Sequence, residues 1–263
     1  MRLLIRSNNI GPRPAMPEDD AHDTSDGKLR LFVEGDLSAG QAVALSEGQV
    51  HYLRHVMRAK SGEAVQMFNG RDGEWRATLA LAAKRGGQAV PERQTRAQDT
   101  SPDIWLCFAP VKKSPADLIA QKATELGASM LQPVVTRRTI VGRVNVERMR
   151  AIAIEAAEQS ERLDVPACAE PVALPKLLAA WPPDRRLLFC DEAGGPALLD
   201  AVKDQPPGPW AILIGPEGGF DEAERALIRA LPRAIPVSLG PRILRADTAA
   251  LAALALLLAA LGA

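Results

Sequence analysis

Two glycine-bearing loops near the C-terminus constrain this chain more than any other feature: Leu213-Ile214-Gly215-Pro216-Glu217-Gly218-Gly219-Phe220 and Leu239-Gly240-Pro241-Arg242-Ile243-Leu244-Arg245-Ala246-Asp247-Thr248-Ala249. Each follows a short apolar run that reads as a buried strand and precedes a run with helical periodicity. Each is therefore a strand-loop-helix corner, the place where α/β proteins hold ligands. Gly215, Gly218 and Gly219 let the backbone approach a ligand with no Cβ in the way. Asp221 and Glu224 stand at capping-box spacing and open a helix over Glu222 to Ala230. The loop lacks the Gly-Lys-Ser/Thr of a phosphate-cradling turn and the Gly-x-Gly-x-x-Gly of a dinucleotide turn. A flat, nearly uncharged group such as an adenine, bonded by backbone amides and carbonyls, suits it better than a triphosphate. For one such loop alone, a tight turn with no ligand is the competing reading; two in succession weaken it.

The rest of the chain divides near residue 100. From Leu29 to about Val90, short apolar or alternating segments (31–33, 42–45, 64–68, 75–79) are broken by glycine and charge, with a helix near Gln49 to Met57. This is the pattern of a small β-barrel. Arg85 through Pro102 is polar and turn-rich and reads as a linker. Beyond it strands and helices alternate: strands at 104–108, 130–135, 187–190, 210–214 and 235–239, helices at 114–127, 146–161 and 197–203. Such alternation implies a mostly parallel sheet with helices on both faces. Ala249 to Leu261 is almost wholly Ala and Leu. It is shorter than the roughly 20 residues of a membrane span, so it is expected to be a buried core helix that also faces a second subunit. Residues 1–28, with Pro12, Pro14, Pro17 and an acidic stretch from Glu18 to Asp26, read as a disordered leader without a secretory signal.

Charge says little overall, because 32 basic residues offset 32 acidic ones, yet residues 101–150 carry eight Lys and Arg against four Asp and Glu. Lys112, Lys113, Lys122, Arg137, Arg138 and Arg143 are candidates for a phosphate-facing patch; a solvated helix face is the alternative for the lysines taken singly. Aromatic residues make up only 4% of the chain, which argues against a stacking platform for single-stranded RNA. Cys107, Cys168 and Cys190 lack CxxC spacing and read as reduced core residues of a cytoplasmic protein. His51 and His55 are four apart but have no third ligand, so no metal is expected.

These residues also carry a resemblance. Gly-Pro-Glu-Gly-Gly-Phe followed by Leu-Gly-x-Arg-Ile-Leu-Arg-x-Asp-Thr-Ala is similar to the ribosomal RNA small subunit methyltransferase E family, SPOUT-class enzymes that methylate N3 of a uridine in 16S ribosomal RNA. In the same order, Gln121 to Gly127, Pro133-Val134, Arg138 to Val141, Glu155 to Ser160 with Arg162, and Val165-Pro166 fit that family. So do His51-Tyr52-Leu53-Arg54-His55-Val56-Met57-Arg58 and Phe68-Asn69-Gly70. The likeness spans about residues 29 to 262. Asp247 stands where the family has Glu, Glu161 where it has a small residue, and the first 28 residues have no counterpart.

The resemblance implies a PUA-like RNA-binding barrel (29–100), then a SPOUT α/β methyltransferase domain (101–263) with a C-terminal trefoil knot, and a homodimer with active sites at the interface. It implies S-adenosyl-L-methionine as cofactor and the small ribosomal subunit as partner, with no metal and no membrane. Leu213, Ile214, Gly215, Pro216, Glu217, Gly218, Gly219, Leu239, Gly240, Ile243 and Leu244 would hold the cofactor, with Asp191 contributing. Arg54, Arg58, Lys112, Lys122, Arg137 and Arg138 would face RNA. Arg245 and Arg162 would grip phosphate or polarise the uracil, and Glu158 or Asp247 would take the N3 proton; for Asp247 an N-cap role is the alternative. Three other readings stand beside this one: a different α/β enzyme using a nucleotide cofactor, an RNA-binding or ribosome-assembly protein without chemistry, and another SPOUT RNA methyltransferase with a different target.

Overall fold

The computed structural model describes residues 29–82, 86–111, 113–140, 143–191 and 194–262. The expected leader and Lys112 lie outside the described residues.

The N-terminal unit runs β1 (Arg30–Phe32), β2 (Val43–Ala44), α1 (Glu47–His51) extended by a π-helical turn over Tyr52–Val56, β3 (Ala64–Phe68), β4 (Glu74–Leu81) and β5 (Gly87–Arg96). Its sheet order is β1-β3-β4-β5-β2, so β1 and β2 are the two edges. Period-two alternation sends Val65 and Met67 from β3, and Ala77 and Leu79 from β4, into one core with Leu31, Val43 and Ala89. Val50 and Leu53 fill the same core from above it, and Ser46 fixes the helix start by a capping box with Gln49. The stretch expected to be a linker is instead β5, the longest of these strands, paired along β4 from Leu81↔Gly87 to Glu74↔Arg96. Its outward residues are polar and Pro91 interrupts it, which is why it reads as loop. The register shifts opposite Glu74/Trp75 and Arg76/Ala77 absorb the irregularity.

The second unit runs β6 (Ile104–Phe108), α2 (Lys113–Glu125), β7 (Met130–Val135), α3 (Val146–Gln159), β8 (Ala167–Cys168), β9 (Val172–Ala173), α4 (Leu174–Ala179), β10 (Arg186–Cys190), α5 (Leu198–Val202), β11 (Trp210–Ile214), α6 (Glu222–Arg229), β12 (Ala234–Val237) and α7 (Ala246–Leu261). All strand pairs in it are parallel, in the order β12-β10-β11-β6-β7-β8, with β9 also on β7. Alternation along the strands divides two cores. Leu106, Phe108, Leu188, Ile212 and Ile214 pack on the α2, α5 and α7 side, whereas Cys107, Leu187, Phe189, Ala211 and Leu213 pack on the α4 and α6 side. The expected parallel sheet with helices on both faces is thus present. β8, β9 and α4 have too few residues to leave a periodic signal.

The two units are bolted together at the C-terminal end of α3. The buried Arg30 guanidinium donates to Glu74 at 2.9 Å and to the carbonyls of Ala157, Glu158 and Arg162 at 3.1, 3.2 and 2.9 Å. It thereby neutralises the negative end of the helix. Phe32 N–H donates to Glu158 at 3.0 Å, and Arg96 to the Glu161 carbonyl at 2.9 Å.

Candidate cofactor pocket at the glycine corners

The loops that follow β10, β11 and β12 leave the sheet at the same edge, the C-terminal ends of parallel strands where ligands of open α/β sheets sit. They enclose a cavity of about 350 Å³ lined by Cys190, Asp191 and Gly194, by Ile214 to Glu217 with Gly219 and Phe220, by Val237 to Arg245, and by Ala246 and Ala249 at the start of α7. A larger cavity, about 850 Å³, lies between the N-terminal sheet and α3. The smaller one is the candidate site because three strand ends and both glycine corners converge on it.

Local forces explain the shape. Asp221 caps α6, its carboxylate accepting Glu224 N–H at 2.7 Å, while Glu224 accepts Asp221 N–H at 3.1 Å, the capping box read from the sequence. Glu224 also accepts the N–H of Arg137 at 2.8 Å, so the box ties the β7 loop to the first glycine corner. The Glu224 N–H, first among its causes, holds the Asp221 carboxyl below the usual range. Arg138 reaches the same corner and donates to the Gly218 carbonyl at 2.6 Å. At Gly215 a Cβ would lie 2.8 Å from the Phe220 ring, and at Gly195 one would lie 2.7 Å from the Pro236 carbonyl. Gly194, Gly219 and Gly240 hold φ of 100°, 67° and 112°, the left-handed region that favours glycine. β12 ends at Val237, two residues short of the expected Leu239; there the Ser238 hydroxyl accepts Gly240 N–H at 3.2 Å and holds the second corner.

Most of the expected cofactor contacts are in the cavity wall: Ile214, Gly215, Pro216, Glu217, Gly219, Leu239, Gly240, Ile243 and Leu244. Leu213 is not; it is 1% exposed and its side chain belongs to the core behind the pocket. Gly218 is not among the lining residues either and backs onto Arg138. Asp191 does line the cavity, but its carboxylate is occupied. Arg229 lies 2.7 Å from one oxygen and Arg225 3.3 Å from the other, with the carboxylate fully buried. Asp191 therefore ties the β10 loop to α6, and only its backbone faces a ligand. Arg225, Arg229, Phe220 and Arg242 were not legible as site residues. The two α6 arginines are four apart, but the acid they serve is more than thirty residues upstream.

Arg245 stands at the pocket mouth as the residue before α7. Asp247 lies in the first turn of α7 and does not cap it, since Arg245 occupies the N-cap position; its Oδ1 accepts Thr248 N–H at 2.7 Å. Glu158 and Arg162 lie apart from this pocket, at the joint between the two units. Arg162 is committed to structure: it donates to the carbonyls of Thr124 and Ala128 at 2.5 and 3.1 Å, to Ser101 at 3.0 Å, and pairs with Asp164 at 3.1 Å. With a side chain 8% exposed it caps the C-terminal end of α2 rather than gripping phosphate. Glu158 serves Phe32 N–H, and burial pushes its carboxyl above the ordinary range. Burial likewise pushes the Cys107 and Cys190 thiols up to about 12, so neither is a nucleophile.

Of the expected basic patch, Lys122 and Arg137 are ion-paired and Arg138 donates to the Gly218 carbonyl, and the neighbouring Arg148 and Arg150 are paired as well. Lys122 holds Glu125 at 2.8 Å, Arg137 holds Asp221 at 3.0 Å, Arg148 holds Asp117 at 2.7 Å, and Arg150 holds Glu34 at 2.9 Å. Arg54 donates to the Ala82 carbonyl, and Arg58 is exposed with φ of 56° at the end of the π-helical turn. Among the described residues there is no group of three or more His, Cys, Asp and Glu that could hold a metal, and no helix long and apolar enough to cross a membrane.

The likeness to known proteins covers both units. The RNA methyltransferase domain family matches residues 99–258, and the RNA methyltransferase PUA domain matches residues 45–92. A ribosomal RNA small subunit methyltransferase E of Synechocystis is 35% identical over 86% of this chain and 76% of its own, and that of Rickettsia conorii is 31% identical over 86% and 93%. Among solved structures, the Neisseria gonorrhoeae methyltransferase E bound to S-adenosyl methionine superposes with a TM-score of 0.79 at 29% identity, covering 88% of this chain and 97% of the other. A Legionella pneumophila methyltransferase with bound SAM gives the same values. A pocket built from two glycine corners on a parallel sheet, a PUA domain ahead of it and these relatives agree: the chain belongs to the ribosomal RNA small subunit methyltransferase E family.

Proposed function

We propose that this protein transfers a methyl group from S-adenosyl-L-methionine to N3 of a uridine in 16S ribosomal RNA, on the assembled small subunit, and that the cavity at the glycine corners holds the cofactor. The observation that carries this reading is the convergence of three strand-end loops on one cavity whose wall holds four glycines among apolar side chains, with Asp191, Glu217, Arg242 and Arg245 as charged members. Its volume suits one nucleoside-sized ligand. The Gly215 approach to Phe220 and the open space around Gly194 and Gly240 leave main-chain amides and carbonyls free of Cβ atoms, which is what recognition of an adenine edge requires.

When bound, S-adenosylmethionine supplies an electrophilic sulfonium methyl, so an in-line nucleophile suffices. This chain's residues hold and orient. The loop after β11 closes one side, the loop after β12 the other, and Arg245 at the mouth offers a cation to the uracil carbonyls as charge develops on the ring. Asp247, two residues on, is the candidate acceptor of the N3 proton; Glu158, at the joint, is not. Arg138 and Arg137 flank the first corner and, with Arg54 and Arg58 of the barrel, face the RNA backbone. The base must be unpaired or flipped to expose N3.

The domain reading is a PUA-like unit over 29–100 and a SPOUT unit over 101–263, with the Leu239 to Ala249 segment threading a C-terminal trefoil knot. The active form is a homodimer. Ile243, 95% exposed at the pocket mouth, and Leu261, 39% exposed at the end of α7, are apolar surface for that contact. Calorimetric titration tests the cofactor directly: S-adenosylmethionine binds with about one site per chain, and neither ATP nor NAD competes. Competition by either would support the rival nucleotide-cofactor reading.

A further inference from the structure

The larger cavity, about 850 Å³, shares no lining residue with the cofactor pocket. Its walls are β1, the 33–44 stretch that includes β2, the start of α1 with Tyr52, and the α3 face at Ala151, Ile154, Glu155 and Glu158. Glu34, Asp36, Glu155 and Glu158 line it, and among the described residues no Lys, Arg or His does. Burial, then Glu158 and Glu155, push the Tyr52 phenol up, so the field inside is set against any further anion. In a protein that works on RNA, this face repels phosphate. The remaining wall is apolar, from Leu31, Val33, Val43 and Ile154. The cleft therefore suits an occupant that is cationic at its ends and aliphatic between.

The 28 residues ahead of the described structure contain such a segment, Arg2-Leu3-Leu4-Ile5-Arg6. It is tethered next to the cleft, because Leu29 leads directly into β1, whose Leu31 forms part of the wall. The 22 residues between Arg6 and Leu29 can span at most about 70 Å, so chain length allows a return to a cleft at the tether point. Tethering also supplies an effective concentration in the millimolar range, so weak contacts suffice.

We propose that residues 2–6 dock in this cleft, with the arginines on its carboxylates and Leu3, Leu4 and Ile5 on its apolar wall, bracing the barrel against α3. Docking runs through side chains and not through an added strand. Although β1 is a sheet edge, Phe32 N–H is taken by Glu158 at 3.0 Å and its carbonyl by Gln49 at 2.7 Å. Glu34 and Asp36 already hold Arg150 and Arg71, each at 2.9 Å, but these pairs are exposed, so an incoming arginine displaces or shares them at small cost. The proposal does not depend on the methyl-transfer reading.

The test places a photo-crosslinking p-benzoylphenylalanine at position 4 of the full chain, irradiates it in dilute solution and maps the product by mass spectrometry. The expected product is an intramolecular link to residues 33–44 or 151–158. Arg2→Glu with Arg6→Glu lowers its yield about tenfold, the loss of two ion pairs near the surface. These two positions lie outside the described residues and leave every cleft side chain unchanged, so their variant keeps the test sound if a cleft variant fails to fold. An added peptide carrying the sequence of residues 1–8 competes for the link. Links elsewhere, links only between molecules, a yield indifferent to charge reversal, or competition by an RNA oligonucleotide in place of the peptide would each overturn the proposal.

Discussion

Gly215 leaves no room for a side chain, because a methyl carbon there would sit 2.8 Å from the Phe220 ring, which itself packs edge-on against Phe189 at 5.2 Å. Gly215→Ala is expected to cost about 1–3 kcal/mol by overpacking and to weaken cofactor binding with it. At Gly218 the same methyl would meet Arg138 at 3.4 Å, ordinary contact, so Gly218→Ala leaves both stability and binding close to wild type. Denaturant midpoints and calorimetric titration of the two variants check this, and equal effects at the two positions would refute the packing argument. Glu158 gives a pH signature. Its folded carboxyl is raised above the ordinary 4.5, chiefly by burial, so between that value and the raised one the folded state binds more protons than the unfolded. Its contribution to stability is full below 4.5 and is lost as pH rises through the folded value. Glu158→Gln, which keeps an acceptor for Phe32 N–H, is expected to flatten that fall in urea midpoints measured across the acidic range. An unchanged pH slope would remove Glu158 as its source. At this scale the glycines and the capping box were legible because each obeys a local rule, whereas Arg245 was reached only through the family resemblance. The partners of Asp191 and the backbone carbonyls that Arg162 caps were not legible, because they lie far away in sequence and a buried cation looks the same as an exposed one in a string of letters.

The helices and strands of the second unit follow from pattern. β6, β7 and β11 fall where apolar runs of five or six residues place them, and α2 and α3 begin and end within two residues of expectation. β5 was missed because a strand with one wet face and a proline carries the composition of a loop; only its partner β4 identifies it. α7 illustrates the opposite case. Its Ala and Leu content marks it as buried, and Ala250, Ala253, Leu254 and Leu257 are all fully inside the core shared with α2, β6 and β11. Leu254→Ala is expected to destabilise the protein by about 2–5 kcal/mol, read as a shift of the urea midpoint at constant m-value. A shift below about 1 kcal/mol would mean that α7 is not packed as described.

At the scale of the whole molecule, the joint made by Arg30, Glu158 and Arg96 fixes the N-terminal unit relative to the α/β unit, so under the proposed function RNA held by one is presented to the other in a defined geometry. The proposed homodimer implies that a second copy completes the site. Ile243→Arg is expected to turn a dimer into a monomer in sedimentation analysis and to abolish methyl transfer; a dimer that persists would move the interface away from the pocket mouth. The central claim is tested most directly by incubating the protein and labelled S-adenosylmethionine with small ribosomal subunits that lack the modification, then digesting the 16S RNA to nucleosides. Label in 3-methyluridine is the expected result, whereas label in another nucleoside, or cofactor binding without any transfer, would contradict the assigned reaction.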